Sequence, residues 1–390
     1  MDQIAALLDR HVADGDIAGA VALVEHDGER RTVTSGRQGL PASPPMRPDT
    51  IFRIASMTKP ILAAAALILV EEGRIGLQSS VEPWLPELAG RRVLRHLAAP
   101  LDDTEPARRP ITLDDLLTLR PGFGAIMPPA DGLPIRAALQ ALGLEAGPEL
   151  LSFGPDEFMH RLGQLPLLAQ PGERWLYHTG FEVLSVLIAR LCGRPLAQVL
   201  DERLFAPLGM TDTGFCVPPG QRDRLAEAFA RDEQGRLAAW QGDRAGAYLD
   251  PPAFPSELVS TAGDYARFAA MLAAGGTAVA GANGPVRILG EASVDAMMRD
   301  QLTAGQKQRS PFMPQFWDYN GWGYGGSVTT RATQAAALGS YGWMGGFGTS
   351  VLIDRARRLV VILLLQRVIR DPADTWLNIA VQSLAYAGAS

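Results

Sequence analysis

Ile4, Leu7, Leu8, His11 and Val12 fall at helical spacing over residues 2–14, which predicts an opening helix. The pattern then switches to two strand-like runs, Ala18–Glu25 and Arg30–Thr34. They flank an Asp27-Gly28 turn and predict a β-hairpin. A proline-rich loop, Pro41–Pro48, and the short apolar stretch Thr50–Ala55 lead into SMTKPILAAAALILVEEGRIG, a helical pattern. Proline is tolerated only in a first turn, so Pro60 sets the helix start near Ser56 or Met57; Gly73 marks its end. From about residue 76 to 224, helical segments separated by Pro/Gly loops dominate. One opens at Thr112-Leu113-Asp114-Asp115, and two others cover Phe181–Leu191 and Leu196–Phe205. A further helix runs from Ser260-Thr261 to Leu272, before Gly275-Gly276.

Strand character returns late in the chain. Gly345–Ile353, a turn at Asp354–Arg357 and the continuously apolar Leu359–Leu365 predict a second hairpin with a central, buried strand. Thr375–Ala387 predicts a terminal helix. The two hairpins lie at opposite ends of the sequence, and one sheet built from both makes the helical middle an insertion. The expected fold class is α+β. Residues 1–75 and 225–390 supply an antiparallel sheet flanked by helices, and residues 76–224 supply a mainly helical domain. The crevice between the two is a natural place for a site.

Composition narrows the function classes. A chain of 390 residues with 47% apolar and 20% charged residues can bury a full core, which excludes disorder as its main state. The net charge of −6 and the lack of a basic stripe argue against nucleic acid as a partner. Cys192 and Cys216 are the only cysteines, so a disulfide framework is excluded. MDQIAALLDRHVADGD is charged early and has no basic start, unlike a signal peptide. The longest apolar run, around Pro60–Val70, is too short to span a bilayer. The expectation is a soluble, cytoplasmic protein with no membrane partner. One detail stands out: of 36 basic residues only Lys59 and Lys307 are lysines. Lysine can give up its proton and arginine cannot, so a lysine in this chain needs a reason.

Lys59 has one. Residues three apart share a helix face, so Lys59 points toward the Ser56 hydroxyl at the strand-to-helix junction. Serine is a poor nucleophile until a base takes its proton, and burial at a helix N-terminus favours a neutral lysine able to do so. A second element, Trp175-Leu176-Tyr177-His178-Thr179-Gly180, places a tyrosine in a loop before a helix, where it can shuttle a proton. A third, Gly342-Trp343-Met344-Gly345-Gly346-Phe347-Gly348-Thr349, enters the late hairpin. Its glycines mark a close backbone approach that can offer an N–H to an oxyanion. Each element alone has a plainer reading: Ser56 as a helix cap, Tyr177 as packing with a satisfied hydroxyl, the glycines as a bulge.

Together and in this order the three elements resemble the serine β-lactamase and penicillin-binding-protein-like superfamily, and within it the class C-like esterase branch, the family VIII carboxylesterases. Ser56–Lys59 is similar to the nucleophile motif, and Tyr177 to the tyrosine of the Tyr-x-Asn motif. Trp343-Met344-Gly345 lies where β-lactamases carry Lys-Thr-Gly. ITLDDLL (111–117), LFAPLGMTDTGF (204–215) and LVSTAGDYARF (258–268) look similar as well, so the resemblance runs from about residue 5 to 385. It implies an α/β domain with a helical domain. It also implies Ser56 as the acyl-forming nucleophile, Lys59 and Tyr177 as the acid–base pair, and the N–H groups of Ser56 and Gly346 as the oxyanion hole. Two departures matter. Thr179 stands where an asparagine is common, and Trp343 replaces a cation that binds a carboxylate. An indole adds an apolar wall instead, which favours esters over β-lactams.

The expected activity is hydrolysis of short-chain carboxylic esters, with a small-molecule ester as the partner and no cofactor or metal. Substrate contacts are expected from Trp343, Thr179, Gly345 and Phe123, with pocket walls from loops 120–135, 240–256 and 310–325. Trp322 and Tyr324 are equally placed for an acyl pocket or for core packing. The turn at Gly323–Gly326 reads as strand and turn, because no Lys-Ser/Thr follows it. His178 is expected to point away, as the neighbour of Tyr177 in an extended segment. Rival readings are an acyltransferase using the same acyl-enzyme, a weak β-lactamase, D-amino-acid peptidase or amidase, and a catalytically silent binding domain. No Gly-x-Ser-x-Gly elbow or His-Glu-x-x-His is present. Oligomeric state is left open by the sequence.

Overall fold

Asp27 and Gly28 take φ of 53° and 84°, the mirror-image turn whose twist suits right-twisted strands. They join β1 (Gly19–His26) to β2 (Glu29–Gly36), as the sequence predicts. The computed structural model describes residues 1–126, 132–147, 149–240, 247–279 and 284–389. Late in the chain come β3 (Asn320–Trp322), β4 (Ser327–Thr329), β5 (Tyr341–Met344), β6 (Ser350–Asp354) and β7 (Leu359–Leu365). All seven form one antiparallel sheet in the order β3-β4-β5-β6-β7-β1-β2.

The two ends of the chain therefore share a sheet, joined by β1 against β7 in the register Val21↔Leu364 and Leu23↔Ile362. Alternation then assigns the faces. Ala20, Ala22, Val361, Leu363 and Leu365 pack with the terminal helices α1 (Asp2–Ala13) and α6 (Trp376–Gly388), through Ile4, Leu8, Leu377 and Val381. Val21, Leu23, Ile362 and Leu364 face the main core with Tyr265, Phe268 and Leu272 of α5 (Ala262–Ala273). The α+β class holds, with helices on both faces of the sheet.

The late hairpin differs from expectation. Gly345–Thr349 is not strand but the connection between β5 and β6, closed by Gly345 N–H to Thr349 O at 2.8 Å and Gly348 N–H to Gly345 O at 2.9 Å. Strands of three or four residues, spaced by glycine, are too short for alternation to register in sequence. Between residues 76 and 224 the described elements are mostly helices, including α3 (Leu113–Leu117) and α4 (Thr179–Cys192), with one short ladder of Arg92–Leu94 against Thr104–Pro106. No single helix among the described residues is long and apolar enough to cross a membrane.

α2 (Thr58–Glu71) is buried from Thr58 to Leu69, as a helix apolar on every side must be. It follows a 3₁₀ turn at Ala55–Met57, which puts the start of the helical segment where Pro60 predicts. The Gly323–Gly326 turn between β3 and β4 lies against it. Gly325 has φ of 79°, and a Cβ there would stand 2.6 Å from the Lys59 carbonyl and 2.9 Å from Ala63 Cβ. Gly325→Ala is expected to cost about 1–3 kcal/mol through strain and displacement of α2, read as a lower urea midpoint; an unchanged midpoint would contradict this packing.

Candidate active site

Four hydrogen bonds from three segments hold the start of α2. Ile54 N–H donates to Leu258 O at 3.0 Å, and Leu258 N–H donates to Thr58 Oγ1 at 3.0 Å. Tyr265 Oη donates to Met57 O at 2.8 Å, and Thr349 Oγ1 to Ile54 O at 3.2 Å. These bonds fix a turn that Ala55 enters with φ of 44°, a costly conformation for a residue with a side chain. Ser56 follows it. Its Oγ lies 2.8 Å from Lys59 Nζ, the bond expected from the three-residue spacing. Lys59 is 4% exposed, the one cation in a helix that is apolar from Pro60 to Val70. Its Nζ also sits 5.0 Å from the centroid of the Tyr177 ring.

Tyr177 is held by its backbone and by its hydroxyl. Ala125 N–H donates to Tyr177 O at 2.8 Å, and Gly124 permits that approach, since a Cβ there would collide with the Leu176 and Tyr177 carbonyls. Trp343 Nε1 donates to Tyr177 Oη at 2.7 Å. The two rings belong to an aromatic cluster with Trp175, Phe312, Phe316, Trp317 and Trp322. Trp322 meets Trp343 edge-on at 4.6 Å, and Trp175 stacks on Tyr177 at 5.5 Å. Trp322 and Tyr324 are therefore packing residues, the latter donating through Oη to Asp114 Oδ1 at 2.9 Å.

The chain makes a γ-turn just after Tyr177. His178 has φ of 78° and ψ of −77°, and Thr179 N–H donates back to Tyr177 O at 3.2 Å. This kink overturns two expectations. The segment is not extended at this point, so His178 faces the cavity and Thr179 turns away. The imidazole Nε2 lies 3.4 Å from Glu182 Oε1. Thr179 instead lines a neighbouring cavity of about 130 Å³ with Phe123, Ile126 and Ile135. Phe123, expected at the substrate, is thus also placed behind the site rather than in it.

The glycine-rich connection completes the wall. A Cβ on Gly345 would meet Ile54 O and Thr349 Oγ1, each at 2.3 Å, so only glycine lets β5 lie against the Ser56 turn. Gly346 O accepts from Ile369 N–H at 2.8 Å, while among the described residues its own N–H donates to no protein acceptor.

Ser56, Tyr177, Trp343, Gly345 and Gly346 thus share one cavity of about 330 Å³, with Lys59 behind Ser56. The 120–135 loop contributes Ala125, and the 310–325 loop contributes Phe312 and Met313. Described residues of 240–256 do not line it, and residues 127–131 and 241–246 lie outside the described residues. Sequence reading missed His178, Glu257, Ile369, Arg370 and Thr375 in the wall. Glu257 precedes LVSTAGDYARF directly, a position that could have drawn attention; the others carry no signal. Burial pushes the Glu257 carboxyl above its usual range, against the opposing charges of Lys59 and His178.

The Beta-lactamase family model matches residues 4–384. The chain belongs to the Beta-lactamase family. Among its relatives, an uncharacterized protein of Mycobacterium tuberculosis is 39% identical, covering 92% of this chain and 88% of that protein. Esterase EstB of Burkholderia gladioli is 31% identical, covering 98% of this chain and 94% of its own. In structure the chain is similar to EstCE1, described as a hydrolase with promiscuous acyltransferase activity. That likeness has a TM-score of 0.81 and 25% identity, over 99% of this chain and 98% of that one. Membership makes the protein an enzyme of the serine-hydrolase type.

A fluorophosphonate is expected to add covalently to Ser56, seen as a single adduct by intact mass and located by peptide mapping. Ser56→Ala is expected to abolish it, and an adduct on a different serine would refute this site.

Proposed function

We propose that the enzyme cleaves short-chain carboxylic esters through an acyl-enzyme on Ser56. The observation that carries this reading is the 2.8 Å contact of Lys59 Nζ with Ser56 Oγ at the cavity wall. A neutral Lys59 amine takes the hydroxyl proton as Oγ attacks the ester carbonyl. The carbonyl electron pair moves onto oxygen, met by the backbone N–H groups of Ser56 and Gly346. Collapse of the tetrahedral intermediate breaks the C–O bond to the alcohol, and Tyr177 passes a proton to the departing oxygen. Lys59 restores the lost proton to Tyr177; water then adds to the acyl carbon while the pair takes its proton, the acyl–Oγ bond breaks, and the pair returns that proton to Ser56 Oγ as the acid leaves.

The preference for esters over β-lactams follows from Trp343. Its only polar atom, Nε1, is engaged by the Tyr177 hydroxyl. The indole therefore offers no charge to a substrate carboxylate, and its ring supplies apolar wall instead. Thr179, turned into the neighbouring cavity, offers no polar handle on the substrate side. A second reading, transfer of the acyl group to an alcohol in place of water, is favoured by similarity to EstCE1. Partial relatives such as the acyltransferase CalJ of Penicillium decumbens, 29% identical over 51% of this chain, point the same way.

Two outcomes are expected. Lys59→Arg keeps a cation that cannot act as a base and should lower kcat/KM for nitrophenyl butyrate by about 10²–10⁴-fold; activity within a few-fold of wild type would refute the mechanism. Nitrocefin should be turned over at least about tenfold more slowly than the ester, the worth of a missing charged hydrogen bond, and the reverse order would favour the β-lactamase reading.

A further inference from the structure

One buried acid in the cavity takes no part in the acyl chemistry above. Glu257 is 8% exposed and lines the same wall as Ser56 and His178. Its Oε2 is buried and has no hydrogen-bond partner among the described residues. Proteins rarely leave such an oxygen unpaired, because burial removes its water without replacing it. The titratable groups acting on it are Lys59 from α2, His178 at the γ-turn, Glu182 on α4 and Glu149. None of them relieves it. Lys59 Nζ is turned to Ser56 Oγ, and His178 Nε2 approaches Glu182.

Much of the surrounding lining is apolar: Ala55, Ala125, Ala146, Phe312 and Met313. In an apolar pocket a few placed polar groups fix a ligand's orientation. Burial shifts the carboxyl toward its neutral form, which carries both an O–H donor and a carbonyl acceptor. A hydroxyl group has the same pair of capacities. An ammonium could donate to the carboxyl but could not accept from its O–H, and a carboxylate would add a third negative group beside Glu182 and Glu149.

We propose that Glu257 is a specificity-determining residue that hydrogen-bonds a hydroxyl group on the substrate, so that the enzyme prefers hydroxylated esters to their plain counterparts. This rests on the esterase reading. The test is kcat/KM for matched pairs: nitrophenyl butyrate with its 3-hydroxy and 3-amino derivatives, and ethyl butyrate with 2-hydroxyethyl butyrate. Wild type is expected to favour the hydroxylated member of at least one pair by about tenfold or more, carried mainly in KM. In Glu257→Leu, or Glu257→Met should that variant fold better, the ratio is expected to fall to about one. Removing an unpaired buried acid is expected to keep or raise the thermal midpoint in either case.

No preference in wild type overturns the inference without any variant, as does a preference that survives loss of the carboxyl. A ratio that responds only for the amino derivative overturns the hydroxyl assignment. Wild type that cleaves the plain esters without preference refutes the role of Glu257 alone. Wild type that cleaves no ester refutes the esterase reading, and this inference with it.

Discussion

A primary amine held against a hydroxyl inside the protein is the contact around which the rest is arranged. Lys59 sits in a helix buried on every side, and its amine meets the Ser56 hydroxyl there. The chain otherwise meets its need for cations with 34 arginines and one further lysine. The surroundings allow no bulk. Gly325 clears the Lys59 carbonyl and Gly345 clears the Ile54 carbonyl, so the glycines of two separate turns are set by the backbone of one short segment.

Strain brackets the cavity on both sides. Ala55 and His178 both hold positive φ, and each is pinned by neighbours that over-determine it. The bonds to Ile54, Met57 and Thr58 hold the first, and the Ala125–Tyr177 bridge with the start of α4 holds the second. The aromatic cluster supplies a further constraint. The indole N–H of Trp343 fixes the phenol oxygen, and three other rings, Phe312, Phe316 and Trp322, fix the indole. Orientation here comes from packing and a neutral hydrogen bond rather than from charge.

Much of this was legible in the chain. The Asp27-Gly28 turn, the start of α2 at Pro60 and the apolar run Leu359–Leu365 each report a local rule, and the pairing of the two chain ends followed from them. The Ser56–Lys59 contact was legible because helix geometry fixes it within one turn. What failed to show depends on distant or irregular backbone. The strands β3 to β5 are three or four residues long, and the γ-turn at His178 has no sequence mark. That single kink exchanged the expected directions of His178 and Thr179. Phe123 was misplaced because residues from four separate segments decide which of two adjoining cavities it meets. Glu257 went unseen because an acid in a loop looks solvated until its surroundings are known.

The central strand pair has a consequence for how the enzyme comes into being. β1 finds its partner β7 only far along the chain, with Ala20 opposite Leu365. Both strands that flank the glycine connection beside Ser56 belong to that same late segment. On the ribosome the helical middle emerges with local contacts already available, while the amino-terminal hairpin waits with one edge open. The wall beside Ser56 therefore stays open until β5, β6 and β7 have been made, and a chain that stops before them lacks one side of the cavity.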